Sequence, residues 1–482
     1  MLTFNLYVMS IKIYRKQLTA LLAAGICLAA CNKQIDLTPT DSIDPSKAFR
    51  NVDDLNQGLI GAYANLSYYS SIYYTSIVTD ECMLPSENSS GSGFATHRWQ
   101  YDGSFTHPGW PDNYVAIDRA NRVLAAMENV KAKPGGEGLK DQYKGELLAL
   151  RAYCHFELLR NFAEKYEAGA MGVPYMMASD VNGSPARLSF GETMAKVDAD
   201  LAAAKALIPA SFDDNTRITR IAVSAMQARA ALYEKNWDNA ITYATEAINA
   251  LPLATRANFP KIWKDASQSE VFWRLKRVTG DEAMGDLYTQ AGYLDNPGGS
   301  KINYAASFKL TNLFDQTNDV RFGAYINIDA GRQAAGKVPN VVVKYMSSNP
   351  SNRNLVDVKL YRTGEMYLIR SEAYAQKNNL TDAAADLNAL RAARINGYTD
   401  ESFADKQTLL DALVTERFKE LAFEGHRHFD LRRNNLAIQR NPEDAVNALG
   451  AMLLKPTDAQ YAFPIPNTEL RANKSMKQNP GY

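Results

Sequence analysis

Apolar residues recur every three or four positions along much of the chain, which is the spacing of amphipathic helices. The segment 143–162 carries two such stripes, one through Leu147 and Leu150 and a second through Leu148 and Leu159. A helix that is apolar on two sides is buried between two neighbours, as in a stack of helix pairs. The pattern therefore predicts an array of packed helices.

Helical segments follow one another as pairs joined by short polar turns. Segments 221–234 and 239–250 keep tetratricopeptide-like spacing, and segments 362–376 and 382–394 form another pair. The predicted fold is mainly α, a tetratricopeptide-like helical-repeat superhelix. We predict its helical repeats at about 46–66, 113–163, 192–252 and 362–434.

Two regions, at about 68–112 and 271–359, lack helical periodicity and are rich in aromatic residues, glycine and asparagine. Short apolar runs at 271–276 and 341–345 predict strands, and the segment 310–322 predicts a short helix. Irregular segments of this kind often carry binding surfaces. We expect the two regions to form an irregular, loop-rich subdomain that contains a few short strands and binds the ligand.

The loop-rich regions contain the residue types that bind carbohydrate. A sugar ring has a face of C–H groups surrounded by hydroxyls, so its site needs flat aromatic rings beside fixed amide, carboxylate or guanidinium groups. An alternative role for each ring is to pin a loop onto the helices. The candidate ligand-binding residues are Trp99, Tyr101, Trp110, Asp80, Asn88, Arg98, Tyr288, Tyr293 and Tyr304.

Three carboxylates lie on one face of a predicted helix within 414–434. Glu416, Glu420 and Glu424 are spaced at i, i+4 and would repel one another unless cations faced them. Gly425 stands where a helix commonly ends in a left-handed residue. The sequence therefore predicts an ion-paired corner. The nearest cations are Arg417, Lys419, Arg427, Arg432 and Arg433.

The beginning of the chain has the pattern of a secretory signal. Three basic residues precede the apolar run 18–30, which is short for a membrane span. Small residues then lead directly into Cys31, as in a bacterial lipobox, so we predict a lipoprotein signal peptide at 1–30 and lipidation of Cys31. Ordinary secretion is the alternative. We expect a tether at 31–45 and a single domain at 46–482.

The charge balance and the absence of a catalytic pattern argue against several protein classes. The chain has 53 basic and 53 acidic residues, so it lacks the basic excess of a nucleic-acid binder. His426 and His428 are spaced at i, i+2, which places them on one face only in a strand, so we predict no metal site. Glu420 and Glu424 have the proximity of a glycosidase pair, but their arginine-rich surroundings favour structural ion pairs. We predict no enzyme activity and no cofactor.

Five motifs stand in order along the chain. They are the helix at 146–162 with GVPY from Gly172, ELAFEGHR from Glu420, FDLRR from Phe429, FPIP from Phe463, and NPGY from Asn479. Together these motifs resemble those of the SusD/RagB family, the surface nutrient-binding lipoproteins of Bacteroidetes.

The resemblance implies a non-catalytic lipoprotein that captures an oligosaccharide or other nutrient at the cell surface. It also implies a lipid anchor in the outer membrane and a SusC-like TonB-dependent transporter as partner. Such lipoproteins often carry an acidic run just after the cysteine, whereas 32–35 reads NKQI, so a periplasmic location stays open. A helical-repeat scaffold for a protein or peptide partner is the alternative function. Cys82 and Cys154 could form a disulfide in an exported chain.

Overall fold

The computed structural model describes residues 48–66, 69–180, 182–290, 293, 301–347 and 354–482. Within these ranges the chain is mainly α-helical with a few short strands, which confirms the predicted fold class. The helices are α1 (Val52–Tyr63), α2 (Tyr69–Ile77), α3 (Phe94–His97), α4 (Gly109–Met127), α5 (Glu137–Phe162), α6 (Phe190–Leu207), α7 (Arg220–Glu234), α8 (Trp237–Ala250), α9 (Phe259–Ile262), α10 (Phe308–Thr311), α11 (Val320–Tyr325), α12 (Ala330–Ala334), α13 (Thr363–Gln376), α14 (Leu380–Arg394), α15 (Lys406–Glu420), α16 (Arg427–Arg433) and α17 (Asn467–Ala472).

The predicted helix hairpins are confirmed, and two of them share the same turn geometry. Lys235 ends α7 in a left-handed conformation (φ 59°), and the Asn236 side chain then caps α8. Asn378 (φ 61°) and the capping Asn379 repeat this arrangement between α13 and α14. Because α8 packs against α13, the two hairpins stack into one array.

Helix α5 is buried between α4 and α6, as its two apolar stripes predict. Close packing is reached at Gly145, where an added Cβ would lie 2.7 Å from Ile208 Cγ1 beside the end of α6. A side chain at this position would push the two helices apart. The array therefore forms a rigid base for the loop-rich part of the chain.

The strands form four short antiparallel pairs in the described part of the chain. β1 pairs with β3, β2 with β6, β4 with β5, and β7 with β8. Both strands predicted from the sequence are present as β2 and β5, although each is shorter than predicted. The strands are β1 (Cys82–Met83), β2 (Val271–Leu275), β3 (Ala305–Ala306), β4 (Ile326–Ile328), β5 (Asn340–Val342), β6 (Val358–Arg362), β7 (Ile438–Gln439) and β8 (Leu453–Leu454).

The predicted ion-paired corner is confirmed, and its three carboxylates are buried. Glu420 accepts hydrogen bonds from Arg321 Nη1 at 2.9 Å and Arg394 Nη2 at 3.0 Å, and it also pairs with Arg362. Burial opposes ionisation, but these guanidinium groups hold the pKa of Glu420 well below its ordinary value. The cations that pair with Glu416, Glu420 and Glu424 are Arg321, Arg362, Arg391, Arg394 and Lys344.

The predicted partners of the three carboxylates were wrong, because the cations nearest in sequence pair elsewhere. Arg417 pairs with Asp430, and Arg432 donates to main-chain carbonyls at the end of α5. The remaining pairs are Lys419 with Asp319, Arg427 with Asp80, and Arg433 with Glu372 and Asp430.

Two predicted helix boundaries were also wrong. The segment 310–322 is not one helix, because the Asp315 carboxylate accepts hydrogen bonds from the N–H groups of Thr317 and Asn318, both at 3.0 Å, and forms a turn between α10 and α11. Helix α15 ends at Glu420, before Gly425, although Gly425 does adopt a left-handed conformation (φ 76°).

The described residues also answer two questions left open by the sequence. Cys82 and Cys154 are buried and unpaired, so the possible disulfide between them is not formed. In the described ranges, no helix combines the length and the apolar character that crossing a bilayer requires. Cys31, the signal peptide at 1–30 and the tether at 31–45 lie outside the described residues and stay predictions.

Candidate functional site

Strand pairing and hydrogen bonds join the two loop-rich regions that the sequence predicts. β1 from the first region pairs with β3 from the second, in the register Cys82 to Ala306. Asn88 Nδ2 donates a hydrogen bond to the Asn303 carbonyl at 2.7 Å, and the Tyr304 hydroxyl donates to the Ser92 carbonyl at 2.8 Å. The two regions therefore form one surface.

A cleft of about 410 Å³ opens where the two regions meet, which we call the central cleft. Its volume falls within the usual range for small-molecule sites. One wall comes from α2 and the start of α4, and the other comes from residues 282–287 and Asn303. The lining residues are Tyr73, Tyr74, Ser90, Ser92, Pro108, Asp112, Glu282, Asp286, Leu287 and Asn303.

Two larger grooves lie on the helical array. One, of about 450 Å³, runs along α4 and includes Trp110, Tyr114 and Met176 in its walls. The other, of about 540 Å³, lies beside α7 and α8 and includes Phe212 and Ile221. Both have mainly apolar walls, whereas the central cleft combines aromatic rings with hydrogen-bonding groups from both loop-rich regions. Because both loop-rich regions contribute to it, the central cleft is the candidate carbohydrate site despite its smaller volume.

Tyr74 supplies a fixed aromatic ring to the central cleft. Its half-buried ring packs edge-on against Phe105, with centroids 5.4 Å apart, and lies tilted against His107, with centroids 4.9 Å apart. Burial raises the pKa of the Tyr74 hydroxyl. No described residue forms a hydrogen bond with this hydroxyl, so it can donate to a ligand while the ring offers an apolar surface.

Acceptor groups line the same cleft as Tyr74. The half-buried Asp112 carboxylate accepts no hydrogen bond from a described residue, and burial together with the nearby Glu282 carboxylate raises its pKa. Asn303 Nδ2 donates to the Asp286 carbonyl at 2.8 Å, which fixes the amide and leaves its Oδ1 without a donor in the described chain. Sugar hydroxyls are donors that match such acceptors. The geometry therefore suits a polyhydroxylated ligand.

The predicted tyrosines of the second region are not exposed rings. Tyr288, Tyr293 and Tyr304 are 0%, 2% and 1% exposed. Tyr288 shares a hydrogen bond with Ser76 Oγ at 2.9 Å, and Tyr293 donates to Asp329 Oδ2 at 2.9 Å. Because their rings and hydroxyls are used inside the protein, their predicted role as ligand-facing rings was wrong. They pin the loops in place.

The predicted aromatic residues of the first region also lie outside the central cleft. Tyr101 and Trp110 are buried, and Trp110 borders the groove along α4. Trp99 is half-buried, donates from Nε1 to the Val78 carbonyl at 2.8 Å, and packs under Arg440 at 4.5 Å. Tyr101 packs against Phe463 in the C-terminal segment, and Trp110 packs against Phe162. The ligand contacts expected of Trp99, Tyr101 and Trp110 stay predictions.

Of the predicted polar residues, Asn88 lies nearest to the central cleft. Its Oδ1 accepts a hydrogen bond from Ser90 Oγ at 2.8 Å, so it positions two lining residues, Ser90 and Asn303, without lining the cleft itself. The predicted ligand role of Asp80 was wrong, because its side chain is buried, whereas that of Arg98 stays a prediction. Arg98 donates to Asn447, and Asp80 is buried in an ion pair.

The Asp80 carboxylate is part of the folded framework. It accepts two hydrogen bonds from Arg427 and one from Lys309, each at 2.8 Å. Burial opposes its ionisation, but Arg427 and Lys309 lower its pKa to about 2. Its charge is therefore already neutralised inside the protein.

Sequence reasoning missed most residues of the central cleft. Tyr74 belongs to the aromatic stretch that was singled out, but nothing in the sequence distinguishes it from its buried neighbours. Asp112 lies just after Trp110 at the start of a helix, and Asp286 lies in an irregular segment. Only the pairing of the two regions brings these residues together.

The described residues contain no group of three His, Cys, Asp or Glu side chains that could hold a metal ion. His426 and His428 are both buried, and burial lowers the pKa of each well below its ordinary value. His428 Nε2 lies 3.1 Å from the Tyr461 carbonyl. The two histidines are thus part of the packed interior.

Two protein-family models match this chain. The SusD family model matches residues 300–482, and a model described as starch-binding associating with outer membrane matches residues 35–232. A SusD-like protein of Formosa agariphila is 23% identical, over 96% of this chain and 97% of its own length. The starch-binding protein SusD of Bacteroides thetaiotaomicron is 31% identical over 26% of this chain and 22% of its own length.

Solved structures have the same fold. A SusD superfamily protein from Bacteroides vulgatus aligns with a TM-score of 0.78 at 24% identity, covering 90% of this chain and 100% of that structure. A laminarin-binding SusD-like protein aligns with a TM-score of 0.72 at 20% identity, covering 90% of this chain and 100% of that structure. The two family models together match residues 35–232 and 300–482, and the chain belongs to the SusD family.

Proposed function

We propose that this protein is a non-catalytic glycan-binding lipoprotein that holds an oligosaccharide in the central cleft. The observation that carries the proposal is the convergence of the Tyr74 ring and hydroxyl with the unoccupied acceptors of Asp112 and Asn303. Family members named as starch-binding and laminarin-binding support carbohydrate as the ligand class. The buried ion-paired corner would hold the cleft in place and would take no part in a reaction.

The same proposal includes delivery of the glycan to a SusC-like TonB-dependent transporter in the outer membrane. It is supported by family membership, by a family model described as associating with outer membrane, and by the lipobox before Cys31. Lipid on Cys31 would anchor the protein on the outer face. A pull-down from detergent-solubilised membranes should recover the transporter, whereas recovery of soluble protein or peptide partners alone would favour the scaffold alternative. Protease treatment of intact cells would test the surface location.

Glycan binding can be tested with purified protein and a panel of oligosaccharides and polysaccharides by isothermal titration calorimetry. We expect at least one member to bind, and Tyr74→Ala to weaken that binding about tenfold or more, because the substitution removes about 1.4 kcal/mol or more of ring contact and hydrogen bonding. Tyr243→Ala is the matched control, because Tyr243 is also half-buried but lies on α8. Equal affinity of both variants and the parent would contradict this site.

A further inference from the structure

The central cleft has a strongly one-sided charge. Asp112, Glu282 and Asp286 line it, and the described lining includes no Lys, Arg or His. His107, which packs beneath Tyr74, is buried, and burial lowers its pKa to about 3, so it is neutral at pH 7. The whole chain has no net charge, so this negative surface is a local feature of the cleft.

Charges around the cleft compensate these carboxylates only in part. Arg277 lies close enough to Glu282 and Asp281 for both carboxylates to act on its pKa, which burial nevertheless lowers. Arg277 does not line the cleft, and Asp281 offsets its charge. The Asp286 carboxylate accepts a hydrogen bond from the neutral Asn354 amide. Thus, among the described residues, no cation forms an ion pair with Asp112 or Asp286, and both residues line the cleft.

We infer that the central cleft selects neutral glycans over glycans that carry uronate or sulfate groups. A sugar hydroxyl can donate a hydrogen bond to either carboxylate, whereas an anionic substituent offers only acceptors and meets two like charges. This inference rests on the proposed glycan binding and adds the chemical class of the ligand. Two carboxylates within about 7 Å of an anionic substituent should weaken binding roughly tenfold, at an effective dielectric between those of protein and water.

The test uses chemically matched pairs of polysaccharides. Laminarin and starch are each compared with their carboxymethylated forms by affinity electrophoresis of the full protein at low ionic strength. We expect a neutral member to bind and its carboxymethylated form to bind roughly tenfold more weakly. Because added salt screens the repulsion, this ratio should shrink as the salt concentration rises toward 0.5 M.

Charge-neutralising variants then assign the discrimination to the cleft. In the double variant Asp112→Asn, Asp286→Asn, the ratio between neutral and carboxymethylated forms should fall below about threefold, whatever happens to the neutral affinity. Asp141→Asn is the control, because Asp141 is exposed near the start of α5. About 30 Å of helix separates it from Phe162 at the other end of α5. Phe162 contacts Trp110 at the start of α4, where Asp112 also lies. Its ratio should equal that of the parent.

The possible outcomes distinguish a failure of the charge-selection inference from a failure of the proposed glycan binding. If no member of the panel binds, both are overturned. If neutral and carboxymethylated forms bind equally, or the carboxymethylated form binds better, glycan binding stands and the inference is overturned. A parent ratio that does not respond to salt would also overturn the inference, and this measurement does not depend on the variants folding.

Discussion

Replacing Glu420 with glutamine removes one charge from the centre of the buried ion-pair network and keeps the shape of the side chain. Glu420 is 0% exposed and faces the guanidinium groups of Arg321, Arg362 and Arg394. In the variant, an amide N–H₂ group would point at one or more of these cations, and their charge would lose its central counter-ion. Breaking a buried ion pair in this way costs about 3–5 kcal/mol.

That loss is large compared with the total stability of a typical domain, about 5–15 kcal/mol. Urea denaturation of Glu420→Gln and the parent should show a lower midpoint at an unchanged slope. Glu401→Gln is the matched control, because Glu401 pairs with Arg391 at the edge of the network with its side chain 55% exposed. An exposed pair is worth at most about 1 kcal/mol. If both variants lost the same free energy of unfolding, the network would not stabilise the fold as argued.

Three further predictions concern buried charged side chains. Gly364→Ala places a methyl group 2.6 Å from Arg362 Nη1 and should lower the free energy of unfolding by about 1–3 kcal/mol in urea titrations. Gly138→Ala is the control, because an added methyl group there meets open space and should cause no such loss. Equal stability of the two variants would contradict this reasoning. Burial raises the pKa of Glu81 to about 7, so its stabilising contribution is complete below about pH 4.5 and is lost as pH rises through 7. Glu81→Gln should therefore gain about 2–3 kcal/mol relative to the parent between pH 5 and 9, and a pH-independent difference would refute the argument. Burial opposes ionisation of Glu416, but surrounding cations lower its pKa to about 2, so stability from this group is present above about pH 4.5 and is lost as pH falls toward 2. Glu416→Gln should flatten this acid limb in urea titrations, and an unchanged acid limb would count against it.

The helices could be predicted from the sequence because their signal is local. The apolar stripes of α5 and the turns before α8 and α14 are contained in short segments. The starts of α8 and α14 were predicted within about two residues, whereas α5 begins at Glu137, before the predicted position 143. The ion-paired corner shows the limit of this reasoning. Glu420 required cations, which the sequence shows, but Arg321 and Arg362 reach it from other elements, about 60 to 100 residues away.

The site could be located by region but not by residue. Both loop-rich regions were predicted, and the central cleft lies between them. Tyr304 and Tyr74 look alike in the sequence, yet Tyr304 is 1% exposed and donates to a main-chain carbonyl, whereas Tyr74 is half-buried beside the cleft. An aromatic residue in a glycine-rich loop serves either role, and the choice depends on contacts between segments distant in sequence.

The most direct test of the account is a crystal structure of the protein with the tightest-binding oligosaccharide of the panel. We expect sugar density in the central cleft, with a ring against Tyr74 and a hydroxyl within hydrogen-bonding distance of the Asp112 carboxylate. Density in the groove along α4 or in the groove beside α7 and α8, with the central cleft empty, would contradict the proposed site.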